Sequence, residues 1–133
     1  MANLTFQQQG VRFLQTEKLD DAERCFSKAL HDKPNDAVLI NLLGIVRMRK
    51  GDYDRALGLM SEALALAPDS PEIQHNIGAM YRIVGDFGKA EAHYRKAIAL
   101  KSDYAEAFFN LASVRRFSAD DPAVRAQKAR NEG

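Results

Sequence analysis

Three histidines and one cysteine are the residues of this sequence that could bind a metal ion or act as a nucleophile. They are His31, His75, His93 and Cys25. A metal site on a helix needs two ligands one turn apart, or cysteines in a paired motif, and no pair here has that spacing. The serines lack a histidine and an acid in a recognisable catalytic pattern, and no glycine-rich loop could cradle a phosphate. The sequence therefore predicts no metal, no cofactor and no catalytic residue, which indicates that the chain is not an enzyme.

A second set of side chains could bind a ligand without reacting with it. Asn76 and Asn110 are separated by the same interval along the sequence as Arg82 and Arg116. An amide both donates and accepts hydrogen bonds, so a row of amides can hold an extended peptide backbone whatever its side chains are. The two arginines, together with His75, could receive a carboxylate. The alternative, that asparagine is simply frequent at this position, stays open.

These pairs share their spacing with a repeat that runs through most of the sequence. Small residues and prolines recur at this one interval, and they are Gly10, Gly44 and Gly78, Ala22, Ala56 and Ala90, Ala29, Ala63 and Ala97, and Pro34 and Pro68. A period of about 34 residues is typical of a stacked array of short helical units, which more often binds other macromolecules than catalyses. Two antiparallel helices approach to about 8–10 Å only where the facing side chains are small, so we expect the glycines and alanines at helix–helix contacts. We expect larger side chains to fill the adjacent core, with Phe6 and Phe13 against Phe26, and Tyr81 against Tyr94.

Each period contains two runs of apolar residues at helical spacing, separated by a break. The break falls at Gly51 and Gly85 in the second and third periods, where glycine suits a left-handed helix terminus. Glu17 stands in place of that glycine in the first period, so an ordinary residue must close the turn. The predicted helices are 3–14 and 19–31, 37–50 and 53–66, 71–84 and 87–100, then about 105–117, with a short helix after Pro122.

Three copies of one pattern resemble the tetratricopeptide repeat family, in which a large residue precedes leucine–glycine and an aromatic residue, and alanine, an aromatic residue, alanine and proline follow. The copies read Phe6, Gly10, Phe13, Ala22, Phe26, Ala29, Pro34, then Ile40, Leu43, Gly44, Arg47, Ala56, Met60, Ala63, Pro68, then Gln74, Ile77, Gly78, Tyr81, Ala90, Tyr94, Ala97, Ser102. The resemblance covers residues 3–117. It implies an all-α fold, a right-handed superhelical solenoid of antiparallel helix pairs with about three and a half repeats. The implied boundaries are 3–36, 37–70 and 71–104, with a degenerate fourth repeat and a closing helix at 105–133.

The resemblance also implies where a partner binds. In this family the first helix of each pair lines a concave groove, in which extended peptides or helices commonly lie. The implied peptide-binding residues, which we expect to be exposed, are Val11, Leu14, Asn41, Ile45, Met48, His75, Asn76, Arg82, Phe109, Asn110 and Arg116. The amino-terminal half of this set is apolar, and the carboxyl-terminal half is polar.

One binding mode of the family is not expected here. Repeats that hold the carboxyl termini of chaperones place lysine, asparagine or arginine at five set positions. This chain has Gln7, Val11, Leu42, Glu72 and Asn76 at those positions. None of the five is a cation, so the resemblance does not extend to that carboxylate clamp.

Charge and composition exclude further classes of partner. Lysine and arginine number 19 against 18 acidic residues, for a net charge of +1. Nucleic-acid binding requires a concentrated basic surface, and no repeat is strongly basic, so we expect none. No apolar run approaches the ~18 residues of a membrane span, the amino terminus lacks a signal-peptide pattern, and a single cysteine favours a reducing compartment. We therefore expect a cytoplasmic protein without membrane insertion.

The leading functional interpretation is a non-enzymatic interaction module or scaffold, whose partner is another protein bound in the groove as an extended peptide or a helix. Self-association into a homo-oligomer is one alternative, because a second copy could cover the apolar groove residues. Another is a docking part of a larger bacterial enzyme. Residues 113–122 (SVRRFSADDP) resemble the junction between such repeats and a sulfotransferase domain.

Overall fold

Seven α-helices make up the part of the chain that the computed structural model describes, residues 3–120, and no strand occurs in that part. They are α1 (Phe6–Gln15), α2 (Leu19–Asp32), α3 (Ala37–Arg49), α4 (Tyr53–Leu66), α5 (Pro71–Val84), α6 (Phe87–Leu100) and α7 (Ala105–Asp120). The predicted all-α fold is confirmed. The chain divides into two compact units, Met1–Asp69 and Ser70–Gly133. We call them unit 1, which contains α1–α4, and unit 2, which contains α5–α7.

Short polar side chains fix where the helices begin. The Thr5 hydroxyl accepts a hydrogen bond from the Gln8 backbone N–H, and the Gln8 side chain accepts one from the Thr5 N–H. This reciprocal capping box starts α1 at Phe6, so the prediction that the first helix begins at residue 3 is wrong. In α3, α4, α5 and α6 a side chain also accepts a hydrogen bond from a backbone N–H of the first turn, without the reciprocal bond. These capping residues are Asp36, Asp52, Ser70 and Asp86.

The turns inside the helix pairs need a left-handed backbone. Gly51 and Gly85 adopt it with φ of 84° and 87°, and Glu17 adopts it with φ of 59°. The next backbone N–H can then reach back over the helix end, as in the 2.8 Å bond from the Lys18 N–H to the Phe13 carbonyl. The glycine turns and the ordinary residue at position 17 are therefore as predicted. A left-handed backbone costs a residue with a Cβ about 1–2 kcal/mol, so the first turn is strained.

Periodic glycines lie where paired helices approach each other most closely, as predicted. A Cβ built on Gly78 would lie 2.8 Å from Tyr94 Cε1, and one built on Gly44 would lie 2.9 Å from Met60 Cγ. Tyr94 and Met60 are fully buried. No side chain fits between these helices without displacing a core residue, so both glycines serve packing.

The core of unit 1 surrounds Phe26, and its other buried members are Leu14, Ala22, Leu39, Leu43 and Val46. Phe13 packs against this cluster as expected. Phe6 was expected to do the same, but it is 42% exposed, and the Lys28 Nζ lies 5.5 Å from the centre of its ring. The expectation is wrong because α1 begins at Phe6, so this ring lies at the end of the helix pair, where few residues can cover it.

The core of unit 2 is built on Tyr94, and its other buried members are Ala90, Leu111 and Val114. Tyr81 packs against this cluster, as the sequence predicts. The helix expected at about 105–117 is α7, which continues to Asp120. The short helix expected after Pro122 lies outside the described residues.

Candidate functional site

The first helices of unit 1, α1 and α3, carry the apolar part of the predicted binding residues. Val11, Ile45 and Met48 are half-buried, and the first two pack against the Phe26 cluster. Leu14 and Asn41 are buried, so the expectation that they are exposed is wrong. Leu14 is itself a member of the core cluster that contains Phe26 and Val46.

Charged side chains join α2 to the end of α3 in unit 1. Lys50 donates hydrogen bonds to Asp20 and Glu23, and Arg47 donates one to Glu23. The Lys50 ammonium lowers the pKa of the Asp20 carboxyl through this bond, and the carboxylates of Asp20 and Glu23 raise the pKa of Lys50. Arg47 occupies an aromatic position of the repeat pattern, and its ion pair accounts for the departure. Sequence reasoning missed this network because its partners are 24 or more residues apart.

A buried hydrogen bond joins two predicted binding residues of unit 2. The Asn110 Nδ2 donates to His75 Nε2 at 2.8 Å, with His75 6% and Asn110 8% exposed. Burial lowers the pKa of His75, against a smaller opposite effect of the Glu106 carboxylate. The imidazole is therefore neutral at neutral pH and can accept this bond. Both residues were expected to be exposed, and that expectation is wrong because they face each other between α5 and α7.

Aromatic and charged groups surround the His75 ring. Its centre lies 5.4 Å from the Tyr94 ring and 5.2 Å from the Tyr104 ring. Burial raises the pKa of Tyr94, and the positive charge of Arg82 acts in the opposite direction. Burial also raises the pKa of Tyr104, with smaller contributions from the carboxylates of Glu106 and Glu72. Glu72 and Glu106 both lie in the first turns of their helices, α5 and α7, and Glu106 Oε1 lies 4.0 Å from His75 Nε2.

Arg82 lies two turns further along α5 and is half-buried. Its Nε and the Tyr94 hydroxyl are both buried, and Arg82 opposes the effect of burial on the pKa of Tyr94 by its charge and by a side-chain hydrogen bond. Asn76 is also half-buried, whereas Arg116 is exposed. Phe109 is 72% exposed, more than any other large apolar side chain in the described part of the chain. The face formed by α5 and α7 therefore combines polar groups with one fully presented aromatic ring.

A cavity of about 230 Å³ in unit 1 is a feature that sequence reasoning missed. Its lining comes from the start of α1, the end of α2 and the start of α3, and consists of Thr5, Phe6, Gln7, Ala29, Asp32, Lys33 and Leu39. The sequence signal for this cavity was Phe6, the large residue at the beginning of the first repeat. Because that residue lies at the end of the helix pair, the space beside it is left open.

The remaining candidates for chemistry have structural roles. His93 Nδ1 bonds to Gln74 Oε1 at 2.8 Å, and its ring stacks on Tyr81. Cys25 is buried, in agreement with a structural thiol. His31 lies in the last turn of α2, as expected. Within residues 3–120, no group of three potential metal ligands comes together, and no helix combines the length and apolar character that crossing a membrane requires.

A family model matches just over half of this chain, and solved structures match most of it. The family model described as tetratricopeptide repeat matches residues 35–103, just over half of the sequence. No curated protein sequence matches the chain.

Three solved structures show the same fold at low identity. The first tetratricopeptide repeat domain of Spaghetti (RPAP3), bound to the HSP90 peptide SRMEEVD, is 20% identical with a TM-score of 0.79, and the match covers 86% of this chain and 91% of that one. MamA is 24% identical with a TM-score of 0.70, over 84% of this chain and 65% of MamA. A mutant O-GlcNAc transferase of Thermobaculum terrenum is 23% identical with a TM-score of 0.81, over 94% of this chain. The chain spans only 25% of that transferase.

Proposed function

The chain belongs to the tetratricopeptide repeat family, and on that premise we propose that it is a non-enzymatic protein-interaction module. Its partner is a segment of another protein, an extended peptide or a helix, which contacts the first helices of the repeats. In unit 1 these are α1 and α3, and in unit 2 they are α5 and α7. We also propose repeat boundaries at 3–36, 37–70, 71–104 and 105–133, and a cytoplasmic location.

The observation that carries this proposal is the exposure of Phe109. An aromatic ring with 72% of its surface in water is costly to leave uncovered, and aromatic side chains dominate the energetics of protein interfaces. Arg116, two turns along the same helix, and the half-buried Asn76 and Arg82 of α5 supply polar groups near it. An apolar anchor with polar neighbours is the usual composition of a protein-binding surface.

The face of unit 1 contributes apolar area. Val11, Ile45 and Met48 each keep part of their surface exposed. Apolar surface removed from water by a partner contributes roughly 25 cal/mol per Å². Unit 1 therefore adds affinity, whereas the polar groups of unit 2 add orientation.

The partner differs from the HSP90 peptide that the Spaghetti (RPAP3) domain binds. A carboxylate clamp uses lysine, asparagine and arginine at five positions, which are occupied here by Gln7, Val11, Leu42, Glu72 and Asn76. None of the five residues at these positions is a cation. Glu72 would repel an acidic peptide at one of them. The likeness in fold supports a peptide as the partner, but not that particular peptide.

Two alternatives stay open as proposals. Phe109 and the neighbouring Phe108, which is 47% exposed, favour self-association into a homo-oligomer through α7. The occurrence of this fold as a quarter of a transferase favours the docking part of a larger enzyme. The first alternative predicts that light scattering shows a mass that rises with concentration and that falls to the monomer value on Phe109→Asp.

Selection from a library of short randomised peptides displayed on phage tests the proposal directly. Selected peptides should lose roughly tenfold or more in affinity for Phe109→Asp, because this change removes an apolar anchor worth about 1.4 kcal/mol or more. Leu66→Asp is the matched control. Leu66 is 46% exposed, but it lies on α4, a second helix of its pair.

Both substitutions replace an exposed apolar side chain by the same acid, so both proteins should remain folded. Binding that survives Phe109→Asp and is abolished by Leu66→Asp would place the partner on the second helices. That result would contradict the proposal.

A further inference from the structure

The first helices of unit 2 carry opposite charges at their two ends. Glu72 and Glu106 are one repeat period apart and lie in the first turns of α5 and α7. Arg82 and Arg116 are also one repeat period apart, and each follows its glutamate by ten residues. Ten residues of α-helix span about 15 Å. The same charge pattern therefore occurs on both helices, with an acidic end and a basic end.

These two helices present the pattern on one face. The hydrogen bond between His75 and Asn110 shows that α5 and α7 lie side by side within unit 2. Glu106 Oε1 lies 4.0 Å from His75 Nε2, and His75 follows Glu72 by three residues, about one turn of α5. Both glutamates therefore belong to the same end of the face.

Few ion pairs among the described side chains occupy the two ends of the face. At the acidic end, Glu106 Oε1 lies 4.0 Å from His75 Nε2, and burial lowers the pKa of that imidazole. The Lys101 Nζ lies 5.1 Å from the centre of the neighbouring Tyr104 ring. Arg82 has no carboxylate within ion-pair distance among the described side chains. Arg47, which is half-buried like Arg82, pairs with Glu23. Arg82 therefore differs from Arg47 in having no described ion pair.

Helix dipoles explain part of this arrangement, but not all of it. Glutamate in the first turn and arginine in the last turn of α5 are both favoured by the macrodipole. The Arg82 side chain also acts on the buried Tyr94 hydroxyl, where burial raises the pKa and Arg82 lowers it by its charge and by a side-chain hydrogen bond. In α7 the dipole gives no reason for Arg116, since the helix continues past it to Asp120. An acidic group of a bound partner would complement the charge of both arginines.

We propose that the α5–α7 face of unit 2 selects a peptide segment carrying one basic and one acidic side chain about four or five residues apart. The basic side chain lies against Glu72 and Glu106, and the acidic one lies against Arg82 and Arg116. Extended chain advances about 3.3 Å per residue, so this spacing matches the ~15 Å between the two ends. The residues between the charges cover Phe109. This inference rests on the proposed function and adds the charge pattern of the partner to it.

Four synthetic peptides with blocked ends test the charge pattern by NMR titration at physiological ionic strength. Their sequences are Lys-Ala-Phe-Ala-Glu, Glu-Ala-Phe-Ala-Lys, Lys-Ala-Phe-Ala-Lys and Glu-Ala-Phe-Ala-Glu. The better of the two peptides with opposite charges should bind about fivefold more tightly than either peptide with like charges, since each mismatched end loses one exposed ion pair. Higher salt should reduce that difference.

Charge reversal at one exposed residue of each end tests which end of the face binds which charge of the peptide. Glu106→Lys should shift the preference to the peptide with two glutamates, and Arg116→Glu should shift it to the peptide with two lysines. Glu106 is 68% exposed, and Arg116 is exposed, so neither change threatens the fold. The matched controls are Glu62→Lys and Arg55→Glu on α4, which change the net charge equally and should leave the preference unaltered.

Equal binding of the four peptides, or an equal shift in preference caused by the α4 controls, would overturn this inference. The proposed function is tested separately. Library peptides that lose binding on Phe109→Asp but carry no such pair of charges would support the interaction module and contradict only the proposed charge pattern of its partner.

Discussion

A methyl group added at Gly78 should destabilise the protein, although alanine is the better helix former. The added Cβ would lie 2.8 Å from Cε1 and 2.9 Å from Cδ1 of Tyr94, whereas carbon atoms in favourable contact lie about 3.5–4.0 Å apart. Tyr94 is fully buried, so its ring can move only by displacing the core of unit 2. Overpacking of this kind costs about 1–3 kcal/mol. Alanine recovers about 1 kcal/mol of helix propensity, which leaves a net loss of about 1 kcal/mol.

Gly58→Ala is the matched control, because it is the same substitution without the contact. Gly58 lies inside α4, and a Cβ there would meet no atom within 4 Å. This variant should gain about 0.5–1 kcal/mol. The two glycine-to-alanine changes should therefore move the free energy of unfolding in opposite directions. Near the melting temperature, about 1 kcal/mol corresponds to about 4 °C for a chain of this size.

Far-ultraviolet circular dichroism during urea unfolding measures both variants, and it suits a chain that has no tryptophan. A third variant isolates the contact. Tyr94→Met introduces the flexible side chain that Met60 provides opposite Gly44, so Gly78→Ala should cost less in that background. The packing argument is refuted if Gly78→Ala stabilises the protein as much as Gly58→Ala does.

Three further predictions concern the first turn and the histidines. Glu17→Gly should stabilise the protein by roughly 1 kcal/mol in urea unfolding, because glycine adopts the left-handed backbone without strain. Glu17→Ala should not, since it keeps the strain and loses an exposed ion pair with Arg49 that is worth little. Asn110→Ala should cost about 1–3 kcal/mol in the same assay, because it leaves the buried His75 nitrogen without its donor; an unchanged unfolding midpoint would contradict this role. Burial lowers the pKa of His75 and of His93, so the unfolded chain binds more protons, and stability should fall as pH drops through about 6.5. Urea midpoints measured across that range should depend less on pH when both histidines are replaced by glutamine.

The sequence by itself determined the helices, their turns and their closest contacts. Each depends on local chemistry or on the repeat period. Gly51 and Gly85 mark left-handed turns because they lack a Cβ, and Glu17 had to adopt the same backbone because it occupies the same place in the repeat. Gly44 and Gly78 mark helix crossings because the period places them opposite a large residue. The start of α1 was predicted at residue 3 but lies at Phe6, because the capping box of Thr5 and Gln8 starts the helix there.

Only the tertiary structure decided how much of each candidate site residue is covered. Asn76 and Asn110 occupy the same position of the repeat, yet Asn76 is half-buried and Asn110 is buried against His75. Periodicity tells which side of a helix a residue lies on, but burial depends on how close the next helix comes and on the size of its side chains. Ion pairs such as Arg47 with Glu23 escaped the sequence for the same reason. Their partners become neighbours only after the helices have packed.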